Sequence, residues 1–353
     1  RNKFMKKILF LLLVAAFSHV AVANDKKEGA TVGVALPNQL MLADPFVIEH
    51  DGWYYIYGTE AADGIVVYRS RDMKQWSKRC GNAKNGLAMH KDDVWGNSMF
   101  WAPEVYKRGD KFIMTYSSDL HICCAESDSP CGPFVQKEQR PYLPNERGID
   151  ASIFVDDDGK AYMFWVRLDG GGNIIWVAEM TPDLMNVKVE TARELIDARE
   201  GTWEKKMGRI AEGPLTFKYK GKYYLTFSCN DFRSQDYAVG FAVADSPMGP
   251  YERYEKNPVL HRHCGYMGTG HHAVLRVGKK FYMVYHAHKN MKEITPRQTL
   301  IAPMKMRRDR DGGKGAWRIE VSEKIIVPKI SPFVKIIPSD AFIIFLSISI
   351  PPF

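Results

Sequence analysis

The chain has no dense block of lysine and arginine, no Cys-x2-Cys pair, no long amphipathic helical pattern, and no apolar run of the roughly 20 residues a bilayer span needs. The first absence argues against a nucleic-acid partner, because the 49 basic residues, set against 41 acidic ones, are scattered. The second removes the usual zinc spacings. Six cysteines (Cys80, Cys123, Cys124, Cys131, Cys229, Cys264) are sparse for 353 residues. Cys123, Cys124 and Cys131 stand close enough in sequence for one bridge, with buried free thiols an equal alternative. The third leaves no reason to draw an internal domain boundary between residues 36 and 328. The fourth argues against a membrane span.

The two ends are apolar but short. Met5-Lys6-Lys7, the apolar run 8–17 and Ala21-Val22-Ala23 have the charged, apolar and small-residue regions of a secretory signal peptide, with cleavage after Ala23. Residues 1–4 stand upstream of a plausible initiator, Met5. This predicts a secreted or periplasmic protein, and removal of Arg1, Lys3, Lys6 and Lys7 takes the formal charge from +8 to +4. Residues 24–35 read as a linker and residues 329–353 as an apolar tail whose native status and role the sequence leaves open. Oligomeric state is not legible.

What the chain does have is aromatic residues, 17 Tyr, 18 Phe and 8 Trp, in a pattern that recurs. Five segments share one form: an apolar strand, a tight turn, and a second strand rich in Tyr, Phe and Met. The turns are Asp51-Gly52, Gly109-Asp110, Asp158-Gly159, Lys220-Gly221 and Gly278-Lys279. After several of them, polar turns such as Ser70-Arg71-Asp72 and Asp245-Ser246-Pro247 separate a third strand from a fourth. Taking Asp44, Ala102, Asp150, Glu212 and His271 as the mouths of the first strands, the spacings are 58, 48, 62 and 59 residues. Four-strand repeats of this length predict an all-β fold, a five-bladed β-propeller.

In a propeller the first strand of each blade lines the central channel, so equivalent positions in separate blades converge. Asp44, Asp150 and Glu212 each stand at such a mouth. Carboxylates gathered in a funnel repel one another and lose solvent, so at least one should keep its proton near neutral pH, which suits acid and base work by two carboxyls on a glycosidic bond.

The motifs Ala43-Asp44-Pro45, Trp101-Ala102-Pro103-Glu104, Ile149-Asp150-Ala151-Ser152 with Asp156-Asp157-Asp158-Gly159, Ala211-Glu212-Gly213-Pro214 and Gly268-Thr269-Gly270-His271 occur in order at blade spacing. Together they resemble glycoside hydrolase family 43 over residues 36–328. The resemblance implies an inverting glycosidase acting on arabinofuranosyl or β-xylosyl bonds of plant cell-wall material, arabinose and xylose not being distinguished, nor exo from endo action. It implies Asp44 as general base, Glu212 as general acid, and Asp150 as the carboxylate that orients Glu212 and raises its pKa. It also implies that His271 lies beneath the sugar site, beside a calcium ion and its waters in the central channel, with no cofactor needed for the chemistry. Arg297 resembles a family arginine that touches sugar hydroxyls and the orienting acid, and Trp101 is a candidate to stack on a sugar face. His272 should face the other way and be structural. Two rival readings are a retaining fructosidase on the same scaffold, whose Asn-Asp-Pro-Asn and Glu-Cys motifs are absent, and a carbohydrate-binding propeller without turnover.

Overall fold

Asp51 and Gly52 both take left-handed backbone, φ 50° and 69°, which is what a two-residue hairpin turn demands when it must follow the right-handed twist of its strands. That hairpin begins the first of five antiparallel sheets in a computed structural model that describes residues 33–309 and 317–331. The segments read as signal peptide, most of the linker and most of the tail lie outside the described residues.

Blade 1 comprises β1 (Ala43–His50), β2 (Trp53–Thr59), β3 (Gly64–Ser70) and β4 (Gln75–Trp76), with β5 (Met89–His90) added on β3. Blade 2 is β6 (Trp101–Arg108), β7 (Lys111–Ser118) and β8 (His121–Ser127). Blade 3 is β9 (Gly148–Val155), β10 (Ala161–Asp169), β11 (Gly172–Glu179) and β12 (Arg193–Ile196). Blade 4 is β13 (Ala211–Tyr219), β14 (Lys222–Cys229), β15 (Ala238–Ala244) and β16 (Glu252–Arg253). Blade 5 is β17 (Gly270–Val277), β18 (Lys280–Ala287), β19 (Gln298–Arg308) and β20 (Trp317–Val321), and β21 (Lys329–Ile330) returns to pair in parallel with β4.

The first strands touch in a ring, β1 to β6, β9, β13, β17 and back to β1, as a five-bladed propeller requires. Blade 2 falls short of the expected four strands. After its outer turn only Val135 pairs with Glu126, because the neighbouring Phe134 is drawn to blade 1, where its N–H donates to Ala88 O and its ring meets Tyr57 edge-on. Lys329 and Ile330, grouped by sequence with the tail, are strand in blade 1. Together with Leu40, whose N–H donates to Pro328 O and whose carbonyl accepts from Thr299 N–H, they fasten blade 5 to blade 1.

The core is divided into five layers, each between consecutive sheets. Tyr57, Met114 and Phe134 fill the first seam, Met163 and Trp165 the second, Phe164, Val166 and Phe227 the third, Tyr285 and Met304 the fourth, and Ile56, Trp76 and Ile301 the last. Second strands are therefore buried on both faces, which is why β14 reads as an almost unbroken run, Tyr223-Tyr224-Leu225-Thr226-Phe227, rather than an alternating one. Each fully buried aromatic or aliphatic side chain contributes about 1.5–3 kcal/mol. No described helix is long and apolar enough to cross a membrane. All six cysteines are free, and the Cys131 sulfur lies 3.8 Å from that of Cys80 on the blade 1 side.

One device positions the site. Every first strand begins with a bulge, and its turning residue has positive φ: Asp44 (49°), Ala102 (46°), Asp150 (57°), Gly213 (54°) and His271 (42°). The shared offset read from sequence is thus off by one in blade 4. Gly213, not Glu212, occupies the turning position, and Glu212 matches Ala43, Trp101, Ile149 and Gly270 in the other blades.

Candidate active site

Asp44 and Asp150 turn at bulges of blades 1 and 3, and both are buried. The ring of His271, from the same position in blade 5, lies between them. Its Nδ1 is 3.4 Å from Asp44 Oδ1 and 3.8 Å from Asp150 Oδ2. Glu212, also buried, is joined to Asp150 through its neighbour, since Gly213 N–H donates to Asp150 Oδ2 at 3.1 Å. The three acids from three blades therefore meet in one place.

Their surroundings differ in charge. Asp44 is held by the Arg297 guanidinium at 2.9 Å and by the Thr59 hydroxyl, which donates at 2.7 Å. Burial alone would raise its pKa, but Arg297, then His271 and His286, overrule it and hold the carboxyl well below its ordinary range. His286 is fully buried, and desolvation, then Arg297, pushes it down to about 3. Its neutral Nδ1 accepts from Asp44 N–H at 3.2 Å.

The other two acids shift the opposite way. Burial, then the Asp44 charge, pushes Asp150 up to about 7. Burial, then Asp150, pushes Glu212 up to about 7. The pair accordingly retains a proton near neutrality, while Asp44 is ionised.

Glu212 is fixed by two donors: Tyr237 O–H to Oε1 at 2.8 Å and Asn173 Nδ2 to Oε2 at 3.0 Å. The Tyr237 ring stacks on His286 with centroids 5.7 Å apart and planes 9° off parallel. A Cβ on Gly270 would stand 2.2 Å from that ring, and one on Gly268 2.1 Å from the His288 ring. Gly270 therefore serves as space, while Gly268, at φ 60°, serves as both space and turn.

Arg297 contacts Asp44, not the orienting acid Asp150 as the resemblance implied, and its Cζ lies 4.7 Å over the Phe232 ring. Trp101 is half-buried beside Ala102, and among the described residues no aromatic ring or cation packs on its face. His272 is buried and pushed down to about 3 by desolvation, and neither ring nitrogen has a hydrogen-bond partner. Sequence reasoning missed Thr59, Asn173, Tyr237 and His286. For Thr59 and His286 there was a signal, a polar residue closing an otherwise apolar second strand. Asn173 and Tyr237 carry none, because what matters is which blade they reach across to.

The calcium ion that the resemblance implies beside His271 would find few protein donors here and would be held mainly by its waters. Calcium takes six to eight oxygen ligands. His271 turns Nδ1 to the carboxylates and offers one ring nitrogen, and among the described residues no three His, Cys, Asp or Glu side chains gather as a cation site.

A family model, glycosyl hydrolases family 43, matches residues 38–311. The chain belongs to glycosyl hydrolases family 43. This family 43 protein is an O-glycoside hydrolase. It is similar to an arabinoxylan arabinofuranohydrolase of Paenibacillus polymyxa, 27% identical over 79% of this chain and 50% of the relative. It is similar also to a beta-xylosidase of Xylanibacter ruminicola, 26% identical over 69% of this chain and 87% of the relative. Among solved structures, an endo-1,4-beta-xylanase from Bacteroides thetaiotaomicron superposes with TM-score 0.76 at 39% identity, covering 83% of this chain and 98% of that one. The hydrolase spans only half the length of the Paenibacillus relative.

Proposed function

We propose that the hydrolase inverts configuration as it cleaves α-L-arabinofuranosyl or β-D-xylosyl bonds in plant cell-wall polysaccharide or oligosaccharide. What supports an acid-and-base glycosidase is the placement of two acids in non-adjacent blades, Asp44 paired with Arg297 and Glu212 buried between Tyr237 and Asn173 with its pKa pushed up by burial and Asp150; inversion follows the family resemblance. Glu212 gives its proton to the glycosidic oxygen as the bond to the anomeric carbon breaks. Water attacks that carbon from the opposite face and passes a proton to Asp44. Asp150, bonded to Gly213 N–H, holds the backbone beside Glu212 and keeps its proton on. Trp101 and Phe232 provide apolar faces for the sugar, and Arg297 keeps Asp44 anionic within reach of the sugar hydroxyls.

The names of the relatives support both sugars. Nitrophenyl arabinofuranoside, xyloside and galactoside separate them, and proton NMR of the first anomer released tests inversion. Glu212→Gln should lose turnover and keep sugar binding. Retained configuration, or turnover surviving that change, would reject these roles.

We infer export from the segment 1–23, and mass measurement of the mature chain from the culture medium or periplasm should begin it at Asn24. With only His271 and water to hold it, a channel calcium ion should be weak, so millimolar calcium over chelator should raise the melting temperature by less than ~2 °C.

A further inference from the structure

The amide of each bulge residue is held by the preceding blade, and four of the five latches are alike. Ala102 N–H donates to Thr59 Oγ1 at 3.0 Å, Asp150 N–H to Ser117 Oγ at 3.1 Å, His271 N–H to Ser228 Oγ at 2.9 Å and Asp44 N–H to His286 Nδ1 at 3.2 Å. These acceptors share one register. Each pairs across its hairpin with the residue just before the bulge: Thr59 with Ala43, Ser117 with Trp101, Ser228 with Glu212, His286 with Gly270.

In blade 3 the residue at that register, paired with Ile149, is Val166. It has no acceptor. Val166 is fully buried in the seam between blades 3 and 4, packed in one cluster with Ala211 and Phe227 of blade 4. The Gly213 amide it would have latched turns instead to the carboxylate of Asp150. A buried amide must find an acceptor, so an apolar side chain at this one register compels the acid to serve as the latch.

We propose that Val166 is a positioning residue, and that its lack of an acceptor is what ties Asp150 to the backbone next to Glu212. The inference rests on the roles proposed above for Asp150 and Glu212. A hydroxyl at position 166 supplies the acceptor that Thr59 supplies in blade 1, and releases Asp150 from its one protein hydrogen bond to blade 4.

The test compares Val166→Thr with Val166→Ile, with Val166→Ser as the second hydroxyl variant should threonine fold poorly. Melting temperature and circular dichroism serve as controls. The expected result is a kcat about tenfold lower or worse in the hydroxyl variants, with KM little changed, and a kcat within about threefold of the parent in Val166→Ile. Adding Val166→Thr to Asp150→Asn should cost nothing further, because the group to be displaced is already altered. Parent-like kcat in a folded Val166→Thr protein, with Glu212→Gln inactive, overturns this inference alone. So does a loss in the double variant equal to the product of the two single losses. Turnover surviving in Glu212→Gln overturns the role assignment and the inference with it.

Discussion

Gly270→Ala should impair the hydrolase without altering any side chain that meets substrate. The new Cβ would lie 2.2 Å from Tyr237 Cε1, about 1.2 Å inside the 3.4 Å at which ordinary contact begins. The ring has nowhere to yield, being fully buried and stacked on an equally buried His286. Overpacking of this kind costs about 1–3 kcal/mol, on the order of 3–8 °C for a domain of this size. The larger effect falls on Glu212, which loses the Tyr237 hydroxyl from Oε1. Glu212 becomes a carboxylate as it gives up its proton, and a hydrogen bond to that developing charge is worth about 1.5–3 kcal/mol, which at 1.36 kcal/mol per tenfold corresponds to a kcat roughly 10- to 150-fold lower.

Tyr237→Phe separates the two effects, giving a similar loss of kcat with a much smaller change in melting temperature. Because the hydroxyl lowers the pKa of Glu212, its loss leaves the acid protonated to higher pH, and the alkaline limb of the kcat profile should move up in both variants. The assay is kcat from pH 4 to 9 on a nitrophenyl glycoside, alongside calorimetry. A Gly270→Ala protein with parent-like kcat at pH 6 and an unmoved alkaline limb would refute the reasoning.

Glu104, whose Oε2 accepts from Tyr106, is pushed up to about 8 by burial, with Asp150 adding to the shift. The unfolded chain gives up this proton near 4.5 and the folded one near 8, so stability should decline as pH rises between them. Glu104→Gln should flatten that slope and raise stability at pH 8 by on the order of 2 kcal/mol; an unchanged slope by calorimetry counts against it. Lys329→Pro removes the N–H that donates to Lys74 O at 2.9 Å and stiffens β21, so closure of the ring should weaken by ~2–3 kcal/mol. Hydrogen exchange should then rise first at Leu40 and Leu42, and uniform protection would speak against β21 as the fastener.

The repeat of strand, tight turn and aromatic strand determined by itself that the fold is a five-bladed propeller, because a buried second strand and a hairpin turn are local requirements written in adjacent residues. It also singled out Asp44, Asp150 and Glu212, since each sits at the mouth of a first strand beside a small residue or proline. The tertiary structure alone decided how those acids differ. That Glu212 stands one residue before its bulge, that Arg297 answers to Asp44 rather than Asp150, and that Tyr237 and Asn173 grip Glu212 all depend on contacts between blades. Such contacts join residues far apart in the chain, 253 positions for Arg297 and Asp44, so no local pattern can encode which pair meets. Burial then sets the charges: a carboxyl reads the same in any sequence, and only its neighbours decide whether it gives a proton or takes one.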